Sequence, residues 1–322
     1  MGGSWRIPVY EGLQDKNFIE ELKMSGTYNE ASFGREFESR WAGDAENSFF
    51  SSASFDKCRV LQVAETAPKH GNSKASYYVI GVDVGRFGCT SEAVIIKVVP
   101  QNNGIALKSF VNFESYEGED FETQAIALKK LYYHYKPRAM VIDANGIGGG
   151  LIDFMVKSQV DPETGNTLPP FGVENDEKGY YKKMRTADTE ENAMFLVKAN
   201  PALNSEIYSY FQVMLISGKI KLLIPYNDAK VKLMSTKVGQ QMDIDARETR
   251  LVPYRLTDIL KDQMLNLVVK NEDGNIVLDR VTKKIPKDRF SAASYGLYYI
   301  KLEEDRKKRR KGRDIKRLMF FS

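Results

Sequence analysis

The sequence predicts an α/β chain built on a mixed β-sheet flanked by helices. Three observations carry this. Strand-like runs follow one another between residues 77 and 113, the apolar spacing then changes to that of a helix, and later strand-like runs alternate with helices. Successive strands joined by short turns pair antiparallel, whereas strands separated by helices return parallel, so one sheet must hold both kinds.

The first run is YYVIGVDV, Tyr77 to Val84, continuous and apolar except for one acid. The second is EAVIIKVV, Glu92 to Val99, and the third alternates from Ile105 to Phe113. All are rich in β-branched and aromatic residues, with Gly or Asn between them. Phe121, Ala125, Leu128, Leu131, Tyr132 and Tyr135 then recur at helical spacing, and Pro137 follows. AMVI, Ala139 to Ile142, is a fourth strand ending at Asp143. Gly146 to Gly150 lead into a helix through Leu151 to Lys157, and Pro169 to Val173 is read as a fifth strand. This order is the layout of an RNase H-like sheet. Beyond it, Leu203 to Ile216 reads as a helix and Gly218 to Pro225 as a strand. Asp258 to Val269 reads as a helix, or a helix and then a strand. Asp273-Gly274 signals a hairpin, and a helix runs from Pro286 to Leu302.

The ends differ from this body. Residues 1–76 are mixed, with short helices expected over Phe18 to Met24 and Ser32 to Trp41, a polar loop from Gly43 to Lys57, and a linker composition from Ala67 to Ala75. Residues 77–302 form the organised domain, and residues 303–322 form a basic tail with nine Lys or Arg against four acids. The whole chain carries a formal +4, so the body is close to neutral and the tail holds the excess. Such a tail suits nucleic acid or another anionic surface. Arg306, Lys307, Lys308, Arg309, Arg310 and Lys311 are uninterrupted and would cover every face of a helix, so they stay solvated or meet an anion. No run of eighteen apolar residues occurs, so no membrane span is expected. Met1 to Glu20 lacks the layout of a signal peptide. The two cysteines, Cys58 and Cys89, form no C-x-x-C pair and are read as free thiols.

Three acids stand out. Asp83 is a lone carboxylate in an apolar strand, where a charge needs something to offset its desolvation, and a bound cation would do so. Asp143 ends the fourth strand before a glycine-rich turn. That turn is not a nucleotide cradle: Leu151 stands where G-x-G-x-x-G from Gly146 needs glycine, and the chain has no Gly-Lys-Ser/Thr. Asp288 opens the last helix, which is also where the helix dipole favours an acid. Two acids on adjacent strands and a third on a late helix can converge on one point. A pair of divalent metals about 4 Å apart requires such a shared cluster. Histidine is not needed, and His70 and His134 are read as structural or surface residues.

The stretches GVDVGRFGCTSEAVIIKV, AMVIDANGIGGGLIDFM and KDRFSAASYGLYYI resemble the C-terminal nuclease of the large terminase subunit of tailed bacteriophages. The resemblance spans Tyr77 to Lys301, and LNSEIYSYFQVMLISGKIKLLIP fits its later part. ASFGREFESRWAGDAENSFF resembles the stretch that joins a packaging ATPase to that nuclease. The resemblance implies a metal-dependent endodeoxyribonuclease that cleaves concatemeric duplex DNA at packaging initiation and termination. Asp83, Asp143 and Asp288 would be its metal-binding and catalytic acids, holding two Mg²⁺ or Mn²⁺ ions. It implies double-stranded DNA, a packaging ATPase domain or subunit, a small terminase subunit and a portal protein as partners. It also implies work in the host cell cytoplasm and an isolated domain that is a monomer. Two departures stand. Ser291 occupies a position where some relatives carry a further acid, and the motor ATPase is missing, so the chain resembles a fragment or half of a split terminase.

Two other readings compete. An actin-like or sugar-kinase ATPase is roughly matched by Asp83, Gly85 and Thr90, but its second phosphate loop is only partly met by DANGIGGG. A non-catalytic module docking DNA or the portal through the basic surface would leave the three acids dispensable.

Overall fold

The computed structural model describes residues 48–69, 76–85, 90–145, 148–187, 192–272 and 274–320, with the backbone alone for 271–272 and 311–320. Phe49–Ser322 is one compact unit. The two short helices expected before residue 48, together with Cys89 and the glycine turn at 146–147, lie outside the described residues.

A seven-stranded sheet organises this unit. It contains β1 (Arg59–Leu61), β2 (Tyr77–Asp83), β3 (Thr90–Val99), β4 (Leu107–Glu117), β5 (Ala139–Asp143), β8 (Met194–Val197) and β9 (Ile220–Leu223), in the spatial order β1-β9-β4-β3-β2-β5-β8. β2, β3 and β4 pair antiparallel, while β5 lies parallel to β2 and β8 parallel to β5. This is the RNase H-like arrangement. It is extended at the β4 side by β9, parallel to β4, and by β1, parallel to β9. A small hairpin, β6 (Gln159–Val160) with β7 (Thr167–Leu168), lies outside it, and so does a longer one, β10 (Leu267–Glu272) with β11 (Asn275–Arg280).

Helices cover both faces. On one side lie α2 (Phe121–Tyr135) and α3 (Gly148–Met155). On the other lie α4 (Pro201–Ile216), α7 (Ile244–Leu265) and α8 (Asp288–Phe320). Three short helices complete the unit: α1 (Ser52–Lys57) precedes β1, and α5 (Tyr226–Met234) and α6 (Lys237–Gln241) lie between β9 and α7. Helix starts are capped by side chains, with Asp120 accepting from Thr123 N at 2.9 Å and Asn200 accepting from Leu203 N at 2.9 Å ahead of Pro201. No helix among the described residues is long and apolar enough to cross a membrane.

The strands divide their side chains between two cores by simple alternation. Tyr78, Ile80 and Val82 of β2 pack with Met140 and Ile142 of β5 beneath α2 and α3. Val79, Val94, Ile96 and Val141 face the other way, toward Phe211 of α4, Leu260 of α7 and Phe290 and Leu297 of α8. At Gly81 the backbones of β2 and α8 almost touch. A Cβ there would stand 2.0 Å from the Ala292 carbonyl oxygen, so only glycine admits the helix at this depth.

Several expectations are corrected. Pro169 to Val173 is not a strand: Val173 makes one isolated bridge to Met194, and the edge strand is Met194–Val197. Ser52–Lys57, expected as loop, is helical and places the buried Phe55 against the core. Arg59–Leu61, read within a mixed region, is a strand of the main sheet. α7 begins at Ile244 and runs through Pro253, well before Asp258. α8 continues without a break from the body through residues 303–320.

Candidate functional site

Period-two alternation decides which way the acids point. On β2, Val79, Gly81 and Asp83 share the α8 face. On β5, Val141 and Asp143 share it, and on β3, Glu92, Val94 and Ile96 do. Register then lines them up. Glu92 is the cross-strand partner of both Asp83 on β2 and Ser115 on β4. Val82 faces Ile142, and Asp83 and Asp143 are the next positions on those two strands. The row Asp143, Asp83, Glu92, Ser115 therefore crosses four strands at one end of the sheet.

α8 delivers the last acid. It crosses β2 where Gly81 meets Ala292 and Gly296. Asp83 lies two residues further along the strand, roughly 6.6 Å, and Asp288 lies four residues back along the helix, roughly 6 Å. Strand and helix thus carry the two carboxylates to the same level. Their charges agree with this approach: burial first, and then Asp288 and Asp143, push the Asp83 carboxyl well above the usual carboxylate range, with Glu92 adding and Lys287 opposing. Asp143 is also raised by burial, against the backbone N–H of Asn145 donating to Oδ1 at 2.9 Å and the Tyr295 hydroxyl donating to Oδ2 at 3.1 Å. Burial raises Asp288 too, opposed by Arg280, Lys287 and Arg289. Tyr208 of α4 stands near the group, its hydroxyl pushed up to about 12 by burial and by Asp83 and Asp143.

Of the three acids singled out in the sequence, Asp143 and Asp288 thus each come within electrostatic reach of Asp83. Glu92, Tyr208, Tyr295, Lys287 and Arg289 were not singled out. Glu92 was legible as the residue two before Val94 on the same face of its strand, and Arg289 as the cation next to Asp288. The tyrosines needed the helix packing. Glu92 differs from the other acids in being neutralised: Arg289 Nη2 donates to Oε1 at 2.5 Å and Ser115 Oγ to Oε2 at 2.8 Å. Among the described residues no Lys or Arg forms an ion pair with Asp83, Asp143 or Asp288.

The chemistry of this donor set fits a hard divalent cation, which prefers oxygen ligands and carboxylates above all. Among the described residues no group of three His, Cys, Asp or Glu side chains forms a ready-made cage. An open site is compatible with Mg²⁺, which keeps waters and is held by one or two carboxylates with substrate phosphate.

The basic residues stand elsewhere. Arg306 to Arg310 lie on α8 and Lys307 to Arg310 are exposed, while the Lys311 side chain is outside the described residues. Arg306 Nη1 pairs with Glu174 at 2.8 Å and with Glu303 at 2.9 Å. From Asp288 to Lys307 is nineteen residues of helix, or roughly 28 Å.

An RNase H-like sheet with a row of carboxylates at one end is the class this fold and site define. Large terminase nuclease domains of several phages are among the solved structures similar to this chain. The large terminase nuclease of thermophilic phage G20c, with bound magnesium, matches at 13% identity over 78% of this chain and 97% of that one, with a TM-score of 0.44. The nuclease domain from Thermus phage P74-26 matches at 11% identity, over 76% and 92%, with a TM-score of 0.42. That of the large terminase subunit gp2 of bacterial virus Sf6 matches at 10%, over 75% and 94%, with a TM-score of 0.39. No family model and no curated protein matches the chain.

Proposed function

We propose that this chain is a metal-dependent endonuclease that hydrolyses duplex DNA during phage genome packaging. One observation carries the proposal: the buried Asp83 carboxyl feels both Asp143 of β5 and Asp288 of α8, and all three are raised by burial with none paired to a described cation. A protein gains nothing from crowding like charges unless a cation joins them.

In this reading Asp83, Asp143 and Asp288 hold two Mg²⁺ or Mn²⁺ ions. When bound, such ions activate water and neutralise charge on the leaving 3′ oxygen. The residues of the chain do the rest. Asp83, on which both of the others act, would be the central residue of that donor set. Tyr295 and the Asn145 amide hold one oxygen each of Asp143 and fix its rotation. Lys287 and Arg280, whose charges reach the acids, supply cations at the rim for the flanking phosphates. The exposed cations of the α8 extension grip the duplex roughly 28 Å away, about eight base-pair steps. The packaging ATPase, the small terminase subunit and the portal are the partners this activity implies, and the resemblance of the three sequence stretches supports them.

The test is plasmid cleavage. The chain should nick or linearise supercoiled DNA with Mn²⁺ or Mg²⁺ and be inert in EDTA. Undiminished cutting in EDTA, or full activity in Asp83→Asn, would refute the reading.

A further inference from the structure

Arg289 is 3% exposed, yet two of its nitrogens, Nε and Nη1, have no hydrogen-bond partner among the described residues. The third, Nη2, donates to Glu92 Oε1 at 2.5 Å and to Ser115 Oγ at 3.0 Å. Glu92 is itself 4% exposed, and Ser115 takes its second oxygen. A buried guanidinium–carboxylate pair is a poor way to gain stability, since an apolar pair of similar volume serves as well or better. The pair has a geometric consequence instead. Glu92 and Ser115 belong to the cross-strand row that contains Asp83, and Arg289 directly follows Asp288. On the opposite side of the same turn, the Phe290 backbone N–H donates to Oε1 of the buried Gln263 of α7 at 3.0 Å. The first turn of α8 is thus fastened to the sheet on one side and to α7 on the other, with Asp288 at its tip.

We propose that Arg289 is a positioning residue: its bonds to Glu92 and Ser115 fix the first turn of α8 against β3 and β4, and so set where the Asp288 carboxylate stands relative to Asp83. Glu92 is the anchor of this latch rather than a ligand, because the Arg289 guanidinium already balances its charge, whereas Asp143 accepts only from neutral donors. The inference rests on the metal-binding reading of the acids. It also differs from a purely electrostatic role in sign. A cation beside the cluster repels an incoming metal, so if charge alone mattered, losing it would tighten metal binding and keeping it as lysine would change nothing. If position matters, lysine fails as well, because its shorter stem ends before the point where Arg289 Nη2 reaches both Glu92 Oε1 and Ser115 Oγ.

The experiment is a Mn²⁺ titration of the full chain, followed by the electron paramagnetic resonance of free Mn²⁺, with a thermal melt of each variant in EDTA. Arg289→Lys should weaken Mn²⁺ binding roughly tenfold or more, as is usual when a partner that orients a ligand is removed. Ser115→Ala removes one hydroxyl from the exposed rim of the latch and should weaken it roughly three- to tenfold. A role confined to holding the fold would lower the melting temperature and leave the Mn²⁺ affinity of the folded protein unchanged. Equal or tighter binding by both folded variants would overturn the inference, and if Arg289→Lys does not fold, Ser115→Ala decides alone. Should the unaltered chain take up no Mn²⁺, the metal reading fails and this inference falls with it. Should the unaltered chain bind and the variants match it, only the inference fails.

Discussion

Gly81→Ala tests how tightly the helix holds the site. The added Cβ would stand 2.0 Å from the carbonyl oxygen of Ala292 and 2.9 Å from the backbone nitrogen of Gly296. Both are atoms of a regular helix and cannot rotate aside, so α8 must retreat from β2 by about 1 Å or more to restore ordinary contact. Overpacking of this kind costs about 1–3 kcal/mol. At about 2–4 °C per kcal/mol for a large domain, the melting temperature should fall by roughly 2–12 °C. The functional loss should be larger than the stability loss. The contact lies one helical turn from Asp288 and two strand residues from Asp83, so the retreat opens the cluster directly. A displacement of about 1 Å at reacting groups can cost about a hundredfold in rate. The assay is initial-rate plasmid cleavage with Mn²⁺ at a temperature where the variant is fully folded, paired with a thermal melt. Gly149→Ala is the control: it lies in α3 with nothing within 4 Å of its Cβ, so it should melt at the same or a slightly higher temperature and leave cleavage alone. A Gly81→Ala protein that melts and cuts like the unaltered chain would refute the claim that α8 sets the geometry of the acids.

Asp83→Asn should abolish cleavage and, in EDTA, melt at the same or a higher temperature, because it removes one of several crowded charges; a large fall in melting temperature would make Asp83 structural. Asp262 of α7, far from this cluster in sequence, is pushed up to about 7 by burial and then by Asp258. An acid raised in the folded state contributes stability that is complete below its unfolded value near 4 and is lost as the pH rises through about 7. Asp262→Asn should therefore melt with the parent at pH 4 and above it at pH 8, and equal melting at both would contradict this. Deleting 307–322, which leaves the Arg306 ion pairs in place, should weaken duplex binding and flatten its salt dependence by roughly 0.9 log units per log salt for each phosphate that is no longer neutralised; an unchanged slope would assign the extension to another partner.

Much of the fold was readable because its strands declare themselves by composition. YYVIGVDV and EAVIIKVV are too apolar and too β-branched for a surface, and the shift to helical spacing at Phe121 marks the first crossover. What failed to show has physical reasons. Met194–Val197 is four residues long in polar surroundings, too short for periodicity to separate strand from loop. Arg59–Leu61 is three residues long and pairs only with the four-residue β9, so its strand character comes from the partner rather than from its own residues. Pro253 marks a stop in any reading from sequence, yet α7 passes through it; Pro253 is buried and its carbonyl accepts from the Thr257 hydroxyl at 2.8 Å. At the site, charge in an apolar strand identified Asp83. Glu92 escaped notice because an acid at the start of a strand is ordinary until its cross-strand partner is known.

The topology explains why these carboxylates fall at one edge of the sheet. β2 and β5 are parallel, so acids that end each strand, Asp83 and Asp143, fall at the same edge of the sheet. β3 runs the other way, so its beginning lies at that edge and brings Glu92 there. α8 crosses β2 at Gly81 with its start directed to the same edge, since Asp288 precedes the crossing on the helix as Asp83 follows it on the strand. Chain direction alone thus gathers three strand residues and one helix residue. The same direction sends the other end of α8 away from the acids, and with it the run of cations that begins at Arg306. Placed beside the carboxylates, those cations would neutralise them and compete with a metal. Placed some five turns along one helix, they stay clear of the acids, and under the proposed function they would meet the same duplex at a fixed distance.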